Sequence, residues 1–548
     1  MITNLKKNNH IIITFILPLV LALIGFLIYK DYGISFDEEI TRNNGLISIK
    51  YICDFFFGEN NFNLNLIRNL PNLENYTDRQ YGTFFEIFLI FVIEILLEIR
   101  EFSEIFYYRH LANHYLFIIS SICFYFLCLN IFKNKLYSFF GATILFTTPR
   151  IFAESFYNGK DLAFLSFFIF LIFFSIKFIK KPNYYNAFLL SLFAAIAINL
   201  RIVAIYVGIL VLLFFIFEFL MKNKFDQKKI KLLLFFFILK LIFLYIFWPF
   251  LWENPINNFI YALKSFSQYK SWDHYVFYLG DFYKVFYLPW HYIFVSFFST
   301  TPLLISAFII CGLGQIILRF SKRLINIDDK NLYKDIWRSE KEKIFLFIFF
   351  IIFSPIFLIF LLDSVIYNGW RHLFFLYPPL ILLFIYFFDV LKSKYRKRKI
   401  SSYLNTILAI ILIGNIYNLI MLHPYQYIYF NTFYEKKANK LFEIDYWGLS
   451  NKDALKNIVV NNYKGEKIKI GVASFTNLFM SQKMLPNKYK NKLIITGQNF
   501  SDVDFIFNNN YFEINPSYDN KYQIPKNYRN YQQNKKGNVL INEFYIKE

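Results

Sequence analysis

Apolar stretches long enough to cross a bilayer recur along most of the chain, separated by short polar breaks. The runs at 11–29 and 344–362 each continue for 19 residues without a charge. At 1.5 Å per residue, such a run covers a hydrocarbon layer of about 30 Å. On this pattern spans are expected at 11–29, 114–132, 137–148, 161–179, 184–200, 202–221, 232–248, 291–318, 344–362, 371–391 and 402–422. The fold class that follows is a polytopic α-helical membrane protein of about eleven transmembrane helices. The first run is too long for a removable signal peptide and lacks a small-residue cleavage site, so it reads as a retained span.

Charge orients these spans. The basic clusters are Lys6 and Lys7; Lys133 and Lys135; Lys177, Lys180 and Lys181; Lys222 to Lys231; Arg319 to Lys343; and Lys392 to Lys399. With the spans above, every cluster falls on one side, and Lys and Arg in short loops mark the cytoplasmic face. The N-terminus is therefore expected in the cytoplasm. The segment 81–99 almost qualifies as a span, but Glu86, Glu94 and Glu98 interrupt it, and counting it would move the Lys133 cluster outside. It is expected to lie along the outer interface as an amphipathic helix. The third span, at 12 residues, is the shortest.

The outward regions are then the loops 30–113, 149–160 and 249–290, and everything after Leu422. From about residue 440 the chain turns polar. Ile468–Val472, Leu493–Thr496, Val503–Phe507 and Val539–Tyr545 read as short strands, with helical patterns around 450–463 and 475–484. The division expected is a transmembrane domain over 1–440 and a small α/β domain over 441–548 outside the membrane.

Composition narrows the function classes. Apolar residues make up 57% of the chain, with 74 Phe and 42 Tyr, too much apolar surface for one soluble core. The net charge of +21 sits in short loops between spans, which argues against nucleic acid as the partner. Four Cys, three of them in apolar runs, form no disulfide framework and no metal-thiolate spacing. No Gly-rich phosphate loop, HExxH, GxSxG or Cys/His zinc spacing occurs, which excludes a soluble nucleotide-sugar fold and a membrane metalloprotease.

Chemistry-bearing residues cluster in the outward loops. FDEE (Phe36 to Glu39) follows the first span, and adjacent carboxylates at a membrane surface need cations, a metal or water. A solvated loop start is the plain alternative. TPRIFAESFYNGKD (Thr148 to Asp161) places Arg150 and Lys160 outside, with Glu154 between them and Asp161 at a helix start. Arg201 in INLRIVA, and Arg371 with His372 in YNGWRHLFFLYPP, repeat this outward placement. Each cation alone could be an interfacial, snorkelling side chain. Together, beside outward carboxylates, they suit an anionic lipid phosphate. WPFLWENP, LPWHY and STTP read as a boundary aromatic belt. HPYQYIYFN begins with His423, a ligand or base candidate at a span end, and precedes DYWGLS (Asp445 to Ser450).

In order and topology these segments resemble the C-type glycosyltransferases of the membrane, above all bacterial members of the dolichyl-phosphate-mannose-protein mannosyltransferase family. The resemblance rests on FDEE, PRIFAESFYNGKD, WPFLWENP, YNGWRHLFFLYPP and HPYQYIYFN with DYWGLS, and covers most of 11–450. It implies a bacterial inner-membrane enzyme with a periplasmic C-terminal domain. Such an enzyme would move a sugar from a polyprenyl-phosphate carrier to an acceptor hydroxyl, with inversion. The family's acidic pair maps to Asp37, as base, and Glu38, as a positioning group, and whether they hold a divalent metal is left open. The family's outer cations map to Lys160 and Arg371 for the donor phosphate, with Arg150, Arg201 and His372 as further candidates. Asp161, Glu154, Trp370 and His423 complete the candidate set. No protein-acceptor insert is found between spans, which weighs against a protein acceptor and leaves lipid and glycan acceptors open. A lipid-linked sugar transporter or flippase, or a non-catalytic envelope assembly protein, is the competing expectation.

Overall fold

The computed structural model describes residue 16 and residues 18–58, 66–222, 226–267, 272–325, 337–395 and 398–548. Lys6, Lys7, Lys224, Lys330, Lys334, Arg396, Lys397 and the start of the first span at 11–15 lie outside the described residues. Where described, the expected spans are largely helical. Among the described residues eight helices are long and apolar enough to cross a membrane: Phe102–Phe132, Asp161–Lys180, Ile202–Met221, Gln227–Phe247, Leu303–Arg323, Glu340–Leu361, Arg371–Lys394 and Lys399–Leu422. Pro18–Ile28, Lys135–Thr147 and Tyr184–Leu200 are shorter apolar helices beside them. Large apolar side chains such as Leu241, Ile242, Phe357 and Ile413 remain exposed on the helix surfaces, as expected where lipid is the solvent. The chain is a multi-pass membrane protein with a C-terminal sheet domain.

Several boundaries differ from the hydropathy reading, each for a local reason. The span expected at 291–318 is two helices, Tyr292–Thr300 and Leu303–Ile325, because Pro302 lacks the N–H to continue the first. The helix expected to start at 114 begins at Phe102, and its first turns carry Arg109 and His110, charges a hydropathy window rejects. The outward segment 149–160 is mostly a buried helix, Pro149–Tyr157, with Pro149 at its first position. The region 249–290 holds the helix Pro255–Ser267 and a hairpin pairing Tyr275–Tyr278 with Asp281–Lys284.

The segment 81–99 forms the helix Phe84–Ile90 and a π turn Phe91–Leu96. Its acidic face is not the wet one. Glu86 is buried against Arg109 and Glu94 against Arg42, while Phe88, Phe91 and Leu96 are 53%, 48% and 61% exposed. Pairing lets the carboxylates turn inward and leaves the apolar face outside.

After Leu422 the chain crosses the site end of the bundle and enters a five-stranded sheet. Its order is Leu493–Gly497, Ile468–Val472, Phe505–Asn508, Val539–Lys547, Tyr528–Lys536. The first three strands are parallel and the last two pairings antiparallel. The helix Asn451–Asn462 packs Leu455 and Ile458 on Ile470 and Phe507, giving this unit its own core. Met480, Met484, Tyr511 and Ile541 instead join the large core of the bundle, so the sheet unit is docked, not tethered. Tyr528–Lys536 was not expected as a strand. Its sequence, YRNYQQNKK, lacks apolar alternation because it is an edge strand with largely solvated side chains.

Candidate functional site

The loop that follows Pro18–Ile28 is fixed before it reaches the acidic motif. The Lys452 ammonium donates to the carbonyls of Lys30, Asp31 and Tyr32 at 2.7, 2.9 and 3.0 Å. Gly33 meets the next contact, since a Cβ there would lie 2.3 Å from the Leu449 carbonyl oxygen. The Phe36 N–H donates to the Trp447 carbonyl at 3.2 Å. Asp37 then occupies the N-cap position of the helix Glu38–Phe57, but its side chain makes no cap. Its Oδ2 accepts from Arg371 Nη1 at 2.9 Å, across 334 residues of sequence.

Arg371 is the centre of the arrangement. The same Nη1 lies 4.0 Å from Asp161 Oδ2, and Asp161 Oδ1 accepts from Arg201 Nη2. Asp161 opens its helix and is held by Asn158, whose Oδ1 accepts from the Asp161 N–H at 2.9 Å. Asn158 Nδ2 also donates to Glu154 Oε2 at 2.8 Å. Glu154 Oε1 in turn accepts from Trp447 Nε1 at 3.0 Å and the Tyr446 hydroxyl at 3.3 Å. Burial pushes the Glu154 carboxyl up to about 7, against the hydrogen bonds from Trp447 and Asn158 and the nearby Arg150, which favour its charge. Trp447 places its ring 4.7 Å from the Arg371 guanidinium carbon.

Lys160 stands 3.8 Å over the Tyr81 ring. The neighbouring Gly82 allows that placement, because a Cβ there would sit 1.9 Å from the Asn199 carbonyl oxygen, two residues before Arg201. Burial and the nearby Arg201 bring the Lys160 ammonium down to about 7, with Asp37 and Asp161 opposing them. Asp78, on the same loop, is raised mainly by burial, with Lys160 lowering it and Asp37 adding to the rise. Four buried nitrogens have no hydrogen-bond partner among the described residues: Nε of Arg150, Arg201 and Arg371, and Nδ1 of His372.

The candidates separate into those inside and those outside this cluster. Asp37, Asp161, Arg201, Arg371 and Lys160 share one electrostatic neighbourhood, and His372 lies edge-on to Tyr367 beside it. Arg150 packs over the Phe430 ring within reach of Glu154 and Tyr446. Glu38 does not share the cluster, since its oxygens face His110 Nε2 at 2.9 Å and the Ser35 N–H at 2.7 Å. Trp370 Nε1 donates to Thr300 Oγ1 at 2.8 Å, tying the start of Arg371–Leu376 to the end of Tyr292–Thr300. His423 pairs with Asp31 at 2.9 Å. Asp37 and Glu38 turn to different partners, and among the described residues no group of three or more His, Cys, Asp and Glu side chains could hold an ion.

Some contributors carried no motif. Asp78 and Tyr81 lie in the polar stretch NYTDRQYG, whose Gly in a Gly-poor chain was the available signal. A pocket of about 290 Å³, open to solvent, adjoins Asp37 and Arg371 and is lined by seven aromatic residues besides Asn368.

No protein-family model matches the chain, and no curated protein matches its sequence. Among solved structures, ArnT from Cupriavidus metallidurans bound to undecaprenyl phosphate is similar over 97% of this chain and 97% of its own, with 9% identity and a TM-score of 0.43.

Proposed function

We propose that the chain is an inverting glycosyltransferase that moves a sugar from a polyprenyl-phosphate carrier to an acceptor hydroxyl at the site end of the bundle. The observation that carries this reading is the bridge from Asp37 through Arg371 to Asp161, flanked by guanidinium nitrogens without a partner among the described residues. Buried donors without partners are costly, and an arriving phosphate would satisfy them. Guanidinium forks and an ammonium at one headgroup-level cluster suit a lipid-borne phosphate. The resemblance of the motifs to the mannosyltransferase-like family points the same way.

In this mechanism Arg371, Arg201 and Lys160 take the donor phosphate, and Arg371 then shares its charge between Asp37 and the phosphate oxygens. The Asp37 carboxylate accepts the proton of the acceptor hydroxyl. The hydroxyl oxygen bonds to the anomeric carbon as the bond from that carbon to the phosphate oxygen breaks. The polyprenyl phosphate leaves as an anion that the same cations stabilise. The membrane is taken as a bacterial inner membrane with this end periplasmic.

The test is reconstitution of the full chain with a radiolabelled polyprenyl-phosphate sugar and a membrane extract. Labelled product is expected with the wild type, and Asp37→Asn should cut transfer by about 10²–10⁴-fold while the protein folds and inserts. Near-normal transfer by Asp37→Asn, or movement of intact labelled lipid without transfer, would overturn the reading.

A further inference from the structure

The pocket beside Asp37 is completed by the C-terminal domain. Phe475 follows the strand Ile468–Val472, and Tyr511 follows Phe505–Asn508. These two strands are parallel neighbours, and both residues sit beyond their carboxyl ends. In parallel α/β sheets that edge is where loops present ligand-binding groups. Here the two loops are tied together, the Phe475 N–H donating to the Tyr511 carbonyl at 2.7 Å. Tyr511 is tied to the bundle as well, its hydroxyl donating to Asn368 Oδ1 at 3.3 Å.

The rings form a continuous aromatic wall. Trp272 stacks on Tyr367 at 5.2 Å and 17°, Phe475 lies 5.5 Å from Phe36 and 5.9 Å from Tyr511, and Trp272 lies 6.1 Å from Phe475. The space beside the rings, about 290 Å³ counting the part open to solvent, is a cleft that a ring can enter from one side. Its polar groups are few and gathered at Asp37, Arg371 and Asn368, while Lys160 and Arg201 do not line it. An anionic headgroup would want those two cations, and a prenyl tail would not want a carboxylate. A single neutral pyranose fits both surfaces, with its C–H face on the rings and its hydroxyls toward Asp37 and Asn368.

We infer that this pocket binds one neutral hexopyranose ring of the acceptor, and that Phe475 and Tyr511 of the C-terminal domain select it. The inference rests on the transferase reading only in assigning the ring to the acceptor, since it would present a hydroxyl to Asp37.

Binding can be measured without transfer. The full chain is purified in a sugar-free detergent and probed by saturation-transfer NMR with the methyl α-glycosides of glucose, mannose and galactose. Saturation of ring C–H protons is expected for at least one glycoside. Phe475→Ala and Tyr511→Ala should each lower it at least about fivefold, and Phe475→Trp, which keeps a ring, should restore it. Tyr531→Ala, on the exposed edge strand, serves as the control and should leave it unchanged. Thermal unfolding shows whether each variant is folded. Absence of saturation with all three glycosides, or an unchanged signal in folded Phe475→Ala, would overturn the inference. Glycoside binding in a protein that transfers no sugar would instead overturn the transferase reading and leave this site standing.

Discussion

At the basic end of the bundle, helices begin with side chains that serve the backbone. Asn134, Asn183, Asp226 and Ser339 each accept from N–H groups of the first turn of their own helix. The cations there find local carboxylates: Lys229 and Lys343 meet Glu218, Arg323 meets Glu342, and Lys341 meets Asp389. The helices that begin at the other end are built differently. Asp37 and Lys160 hold N-cap positions without capping by their side chains. The Asp37 carboxylate crosses to Arg371, and among the described residues Nε of Arg201 and Arg371 and Nδ1 of His372 lack partners. One end spends its polar groups on helix ends and ion pairs among its own helices; the other gathers them from distant segments and leaves some guanidinium and imidazole nitrogens over. Uncommitted donors and acceptors are what a ligand needs, which is why the site belongs to the second end.

This contrast can be broken in graded steps. The largest stability effect is expected for Arg201→Ala, which removes the guanidinium paired with the 4%-exposed Asp161 side chain and leaves it Asn158 Nδ2 at 3.1 Å and Arg371 at 4.0 Å. Removing one partner of such a buried pair should cost about 3 kcal/mol, read as a fall in the denaturation midpoint in detergent. An unchanged midpoint would mean that Asp161 is not committed to Arg201. Next, Arg371→Ala should lower transfer about a hundredfold, the scale of one lost donor to developing charge, and Arg371→Lys should restore only part because it lacks the planar fork.

Lys160 gives a pH signature. Its folded value near 7 lies below the ordinary lysine range, so the group is cationic below pH 7 and neutral above it. The Michaelis constant for the donor should therefore rise about tenfold per pH unit between pH 7 and 9, and Lys160→Arg should flatten the profile. The unfolded chain keeps that proton to about pH 10.4, so the same residue makes stability increase with pH across that window. The smallest effect belongs to the basic end. Lys341→Ala removes a half-exposed pair with Asp389 and should cost under about 1 kcal/mol with no change in transfer. A loss of transfer there would dissolve the distinction between the ends.

The helices were legible because burial in lipid demands long apolar runs, and four of the five strands because segments such as Ile468–Val472 and Val539–Lys547 must bury alternate or continuous apolar faces. The strand Tyr528–Lys536 was hidden for the opposite reason, its side chains meeting water. Among site residues, those that break a rule of composition stood out: Asp37, Lys160, Arg201 and Arg371 are charges at span ends on the side where cations are scarce. Glu38 looked equivalent to Asp37 by adjacency, yet successive residues at a helix start point in different directions, and Glu38 turns to His110. Asp78, Phe475 and Tyr511 had no such mark, since nothing local distinguishes a pocket aromatic from a core one.

By itself the amino-acid order determined how many segments leave water, which end of the bundle carries the loop lysines, and which charges stand opposite them. Those are properties of single segments and follow from transfer of side chains between water and lipid. Only the tertiary structure decided which opposite charges meet. The pairing of Asp37 with Arg371 across 334 residues, and the closing of the pocket by Phe475 and Tyr511, depend on contacts such as Lys452 on the first loop and Gly33 against Leu449. Such contacts are set by packing between distant elements, and no local pattern encodes them.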